Sequence, residues 1–196
     1  VIPTKTASSA TGGNSAIDGA PYLEIVSGAT SGNEGGHVQN AAGGRVDPGA
    51  FPLIRTRVDW MSVAACRIIV AICDSSTFAA AVASDDPGSY QFGVQYSTDR
   101  ADAEWQAIEK NNGAQTLTPL NAAVTPVIGE MYIETEVLTA TTGRVRIEDS
   151  TGALLAEETL STAIPAAGQS LYSAIGIETE EAVAKSHRFF YQEIWI

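Results

Sequence analysis

The segment FGVQYSTDRADAEWQAIEKNNGAQTLT, residues 92–118, decides the fold. Phe92, Val94 and Tyr96 fall on one side of an extended chain, and Gln91, Gly93 and Gln95 on the other. Period-two alternation with one apolar side marks a strand that buries a single face. A polar turn follows, then a short strand around Trp105, the turn Asn111-Asn112-Gly113 and a threonine-rich strand through Leu117. Nothing here is arranged as a nucleophile with its base or as a metal-ligand set. The segment speaks to architecture.

The same alternation recurs on both sides of it. Ile54, Thr56, Val58 and Trp60 oppose Arg55, Arg57 and Asp59, and Cys66, Ile68, Val70 and Ile72 share one face of a more apolar strand. Met131, Ile133, Thr135 and Val137 alternate with Glu130, Tyr132, Glu134 and Glu136, and Val145 and Ile147 alternate with Arg144, Arg146 and Glu148. Leu171, Ser173, Ile175 and Ile177 form a further strand, and residues 187–196 the last. Asp85-Asp86-Pro87-Gly88, Thr142-Gly143 and Asp149-Ser150-Thr151-Gly152 carry turn chemistry. Ten or more strands at a spacing of about 8 to 12 residues predict an all-β sandwich or barrel. Residues 76–84 fit one or two helical turns at most, and residues 178–185 a short helix or a loop.

Residues 1–20, VIPTKTASSATGGNSAIDGA, offer almost nothing to bury. They read as an extended N-terminal arm, with the β-sandwich domain over residues 21–196. The 196-residue chain has a net charge of −12 and a pI near 4.4. Binding a phosphate backbone needs a basic footprint, so no nucleic-acid partner is expected. Acidity also disfavours anionic lipid. The longest apolar run, residues 64–73, is broken by Arg67 and is too short to cross a bilayer, so no membrane association is expected. Cys66 and Cys73 lie seven residues apart on one strand, about 23 Å at strand rise. They read as two buried thiols, too far apart to bridge each other.

Glu134 and Glu136 share a strand face about 7 Å apart, near the separation of paired glycosidase carboxylates. Arg144 and Arg146 face them from the next strand, so the favoured reading is a cross-strand charge ladder. Glu178, Glu180 and Glu181 form an acidic cluster at a strand end. It reads as a solvated loop or, with oxygens from Asp85 and Asp86, as a calcium site. His37 and His187, the only histidines, have no ligand at zinc spacing. There is no nucleophile elbow and no phosphate loop. No cofactor is expected.

Tyr90, Trp105 and Tyr132 lie near predicted turns or outward faces and are the candidate carbohydrate contacts, although Trp105 reads first as a packing residue. Trp60 and Tyr96 align with core positions. In the last strand Phe190, Ile194 and Ile196 share one side, and Phe189, Tyr191 and Trp195 the other. A strand apolar on both sides must be covered on both, by the N-terminal segment or by another subunit. Phe189, Tyr191 and Trp195, with Ile2 and Pro3 of the arm, are therefore the candidate interface.

The order Phe92, Tyr96-Ser97-Thr98, Trp105-Gln106-Ala107, Lys110, Gly113 and Gln115-Thr116 resembles a jelly-roll module of structural proteins from tailed bacteriophages and related viruses. So does Glu181-Ala182-Val183-Ala184-Lys185 ahead of the closing strand. That module is similar to the concanavalin A-like lectin and glucanase sandwiches. The resemblance covers roughly residues 50–196. It implies a concanavalin A-like jelly roll and a non-enzymatic virion protein: a capsid decoration protein cementing the shell, on the capsid surface rather than the tail. Its partners would be the major capsid protein or other virion proteins, and copies of itself, with a trimer favoured. The alternative is a carbohydrate-binding receptor-recognition module of a tail fibre or spike. Laminarinase-like hydrolases of this fold carry approximately Glu-aliphatic-Asp-aliphatic-Glu. Here Ile133-Glu134-Thr135-Glu136-Val137 lacks one of the three acids.

Overall fold

The computed structural model describes residues 14–17, 20–39, 45–75, 81, 84–120 and 124–196. Its strands are β1 (Asn14–Ile17), β2 (Ala20–Val26), β3 (Glu34–Gln39), β4 (Arg45–Val46), β5 (Leu53–Trp60), β6 (Cys66–Cys73), β7 (Tyr90–Ser97), β8 (Gln106–Asn111), β9 (Thr116–Pro119), β10 (Gly129–Val137), β11 (Gly143–Asp149), β12 (Leu154–Leu160), β13 (Leu171–Thr179) and β14 (Ser186–Trp195). Sheet A runs in the order β1-β2-β14-β5-β10-β11-β12. Sheet B runs β3-β13-β6-β7-β8-β9, with β4 also paired to β13. All the pairings are antiparallel. The two sheets make the jelly-roll β-sandwich that the strand spacing and the resemblance predict.

The core is the inner layer between the sheets. Ile54, Val58 and Trp60 of β5 and Ile133 of β10 meet Ile68, Val70, Phe92 and Val94 of sheet B. In β5 the alternation is exact along the strand, even residues buried and odd ones facing out. Sheet B departs from it. β6 is buried at every position, and Ile69, Ala71 and Cys73 of its outer side form a second apolar cluster with Ala81, Ile108 and Ala174. Asp85, Asp86 and Pro87 lie against this side, bonding Arg67, Lys110 and Gln91 respectively. Gln91 and Gln95, predicted to stand opposite a single buried face, are fully buried, Gln91 donating to Pro87 O and Gln95 accepting from Arg100. Gly93 sits between them, where a Cβ would come within 2.3 Å of Val70 O and 2.5 Å of Ala71 Cα. Only glycine allows β6 and β7 to approach this closely.

Three sequence expectations are corrected. Trp105 takes the packing role read first for it and is removed from the candidate sugar contacts: it is fully buried, and its ring centroid lies 6.3 Å from that of Trp60 and 6.2 Å from that of Tyr96. Its backbone is tied to Val124 and Leu120, which fixes the indole inward at the mouth of β8. Tyr90, another candidate, is partly buried and packs against the same core. The third correction is β14, which is not apolar on two faces of one regular strand. A bulge shifts its register between Phe189, opposite Val58, and Tyr191, opposite Arg57. One extra residue reverses the facing of everything after it. Phe189 points into the core, while Phe190 and Tyr191 both lie outside. Gln192 then turns inward to donate to Thr56 Oγ1, Ile194 packs on the core and Trp195 faces out. Phe189 is thus a core residue rather than part of an interface.

Asn14–Ile17 pairs with Ala20–Val26, so sheet A begins inside the stretch assigned to the arm. Residues 1–13, with Ile2 and Pro3, and most of 76–83 lie outside the described residues. Cys66 faces the core and Cys73 the outer cluster of sheet B. Burial, the leading cause in each, pushes both thiols up to about 12. Thiolate, the reactive form, is thereby suppressed. Both cysteines are expected to resist an aromatic disulfide reagent at pH 8 in the native protein and to react within the mixing time in denaturant. Rapid native labelling of either would contradict this packing.

Candidate functional site

The two sandwich faces are unequal. The outer side of sheet B is roofed, whereas the outer side of sheet A presents side chains from β2, β14, β5, β10 and β11. Register places Tyr191, Arg57, Tyr132 and Glu148 in one row across β14, β5, β10 and β11. Tyr22 of β2 extends the row, its ring 5.8 Å from that of Phe190. From β2 to β10 the row crosses three interstrand gaps, about 14 Å. The β14 bulge sets two adjacent aromatics, Phe190 and Tyr191, on the same side, which a regular strand cannot do.

Guanidiniums interleave with these rings. Arg57 lies 4.2 Å from the Phe190 ring centroid and 6.0 Å from that of Tyr132; Arg55 is 4.7 Å from Tyr132, and Arg188 is 5.3 Å from Tyr22. Cation–π stacking of this kind holds flat rings in place. Arg57 also donates from Nε and Nη2 to the two oxygens of Glu130, at 2.8 and 3.0 Å. That hydrogen bond raises its pKa further above its ordinary value. The Tyr191 phenol is raised from 10 by burial first, then by Tyr132 and Glu193 beside it.

Next to the row, four side chains close a ring of ion pairs. Arg55 reaches Glu134 at 2.9 Å and Glu148 at 2.7 Å, and Arg146 reaches the other oxygens of the same two carboxylates at 3.1 and 3.3 Å. Arg146 also meets Glu157 at 3.0 Å, and Arg144 meets Glu136. The predicted charge ladder is therefore present, with β5 as a third rail that the sequence reading did not include. Both oxygens of Glu134 are engaged by cations, which stabilises its ionised form.

Trp195 ends this face. It is 46% exposed and stands opposite Leu53. Beyond it, Phe51 (50% exposed) and Leu138 (39%) form an apolar rim where β14, β5 and β10 end together. Of the sequence candidates, Tyr132, Tyr191 and Trp195 come together on this surface, while Tyr90, Trp105 and Phe189 do not. Tyr22, Phe190, Arg55 and Arg57 were not singled out. The outward parity of Arg55 and Arg57 was already visible in β5; nothing local announced Phe190.

The acidic cluster at the end of β13 takes a different form from the solvated loop or calcium site expected. Buried Arg67 stands at its centre, 2.7 Å from Asp85, 2.9 Å from Glu178, 3.6 Å from Glu180 and 3.8 Å from Asp99. Glu180 also accepts from the Thr98 hydroxyl, and Glu181 pairs with Lys185. Burial would lower the Arg67 pKa, but the Asp85 hydrogen bond and surrounding carboxylates outweigh it and raise it. Among the described residues, no group of His, Cys, Asp and Glu is placed to hold a metal ion.

No known sequence family matches the chain, and no characterised protein matches it by sequence. Solved structures do match in three dimensions. An endo-β-1,4-glucuronan lyase from the fungus Trichoderma reesei superposes with a TM-score of 0.65 at 11% identity, over 97% of this chain and 89% of the lyase. A glycoside hydrolase family 16 protein from a Bacteroides ovatus mixed-linkage glucan locus gives 0.56 at 8% identity, over 94% and 85%. The CBM2 module of the evolved Dit protein of Lactobacillus casei BL23 phage J-1 gives 0.56 at 10% identity, over 94% and 79%. At such identities the likeness establishes the fold alone: a jelly-roll β-sandwich shared with sugar-active proteins and a phage carbohydrate-binding module.

Proposed function

We propose that this chain is a non-catalytic carbohydrate-recognition module of a virion, working through the outer face of sheet A. The observation that carries the reading is the aromatic row from Tyr22 to Tyr132, continued at the sheet end by exposed Trp195. Apolar ring faces on a flat, rigid surface suit the apolar faces of pyranose rings, and the flanking carboxylates offer acceptors to sugar hydroxyls. The fold shared with a phage carbohydrate-binding module supports this reading, as does the engagement of Glu134 by two arginines, which argues against hydrolysis. Trp195→Ala and Tyr191→Ala are each expected to weaken glycan binding about tenfold, about 1.4 kcal/mol, with unchanged melting temperature. A glycan array followed by calorimetry checks this; full retained binding in both variants would move the site elsewhere.

The second reading is a capsid cement protein, attached to the major capsid protein as an oligomer. The exposed rim of Phe51 and Leu138 beside Trp195 favours it, because contiguous exposed apolar side chains mark protein contacts. Electron microscopy of particles separates the two: density on the shell supports cementing, and density at the tail tip supports recognition.

A further inference from the structure

We infer that the outer face of sheet A selects neutral glycans and rejects acidic ones, an inference that rests on the carbohydrate reading above. Binding uronate, sulfate or phosphate groups requires cations with donors to spare. Among the described residues each arginine of this face is already paired with a carboxylate, and the Nε atoms of Arg144, Arg146 and Arg188 that lack a hydrogen bond are buried away from any ligand. Arg55 and Arg146 each serve both Glu134 and Glu148. Arg57 is bound by two donors to Glu130, and Arg188 meets Asp59 at 3.1 Å. Arg144 is held by Glu136.

Two more carboxylates, Glu24 and Glu193, stand across from Arg188 and Arg55 in the strand register. The face therefore carries more negative than positive charge, within a chain of net charge −12. An anionic polymer would meet repulsion on approach and could gain a guanidinium only by displacing an anchored carboxylate. A neutral sugar faces neither cost. Its hydroxyls donate to carboxylate oxygens that accept further hydrogen bonds, while its ring lies on Tyr132, Tyr191 or Trp195.

The test is affinity electrophoresis and calorimetry on the intact chain with neutral β-glucan, xylan and galactan, and with polyglucuronate and alginate, at 20 and 150 mM salt. Neutral polymers are expected to bind with little salt dependence and at least tenfold more tightly than either polyuronate at both salts. Glu193→Lys combined with Glu24→Lys places unpaired cations beside the row. It is expected to create polyuronate binding at 20 mM salt that fades at 150 mM. Polyuronate binding by the unaltered chain that equals neutral binding, or is suppressed by salt, overturns the inference while leaving the carbohydrate reading intact. Binding to none of the five polymers overturns the carbohydrate reading itself, and this inference with it.

Discussion

Replacing Arg67 by alanine is expected to lower the stability of the domain by about 3–5 kcal/mol, the usual loss when one member of a buried ion pair is removed. For a domain of this size that is on the order of 10 °C in melting temperature. The reason is what remains behind. Asp85, Glu178 and Glu180 converge on one guanidinium whose side chain is 8% exposed, and without it Glu178 and Glu180 face each other out of water. The loss should depend on pH, which separates it from a simple packing defect. Burial raises the folded pKa of Glu178 above 4.5, while Arg67 pulls it back down. A carboxyl with a raised folded pKa contributes stability that is complete below its unfolded pKa and disappears as pH rises through the folded one. Without Arg67 the folded value climbs further, so acidifying from pH 7 toward 5 should recover more stability in the variant than in the parent. Asp85 works in the opposite sense. Burial would raise its pKa, but Ser97 and Arg67 outweigh that and hold it below 3.8, so its contribution is lost only under stronger acid, outside this window. Urea titrations of the parent, Arg67→Ala and Arg67→Met at pH 5 and 7 measure the difference. Equal losses at both pH values, or a loss under 1 kcal/mol, would rule out the buried-charge account.

Trp105→Ala is expected to cost about 3–5 kcal/mol, the range for removing a buried aromatic. Trp195→Ala should stay within about 0.5 kcal/mol, as exposed substitutions do. Trp105 thus keeps the packing role read first for it and loses the carbohydrate one, and Trp195 stays at the surface. Trp105 bridges the two sheets by packing between Trp60 of β5 and Tyr96 of β7, so its removal empties a site lined by both. Chemical denaturation followed by tryptophan fluorescence reports the first effect, and glycan titration reports the second. A stable, folded Trp105→Ala protein that had lost glycan binding would reverse the assignment.

The alternation in residues 92–96 and in β5, β10 and β11 was sufficient to place nearly every inward side chain of those strands, because a half-buried strand leaves its period in the sequence. The charge ladder was legible for the same reason. What the sequence did not disclose came from tertiary contact. Gln91 and Gln95 look solvent-facing until the turns that flank β7 fold back over them, Pro87 O accepting from Gln91 and Arg100 donating to Gln95. The acidic residues near Glu178 look solvated until Arg67, more than a hundred positions earlier, is found among them. The bulge at Phe190 was hidden most thoroughly. Its trace in the sequence was the excess of apolar residues on both parities of β14, a pattern that a covered strand would equally produce.

The closed ring of Arg55, Glu134, Arg146 and Glu148 has a bearing on descent. Each member answers to two others in a ring that spans β5, β10 and β11, so no single replacement is a local event: every one strands a pair. A lineage carrying this face can keep all four positions or exchange them in concert, but it has few viable single steps between. Among distant relatives the four should therefore travel together, present or absent as a block, even where the aromatic row beside them has been rewritten for another ligand.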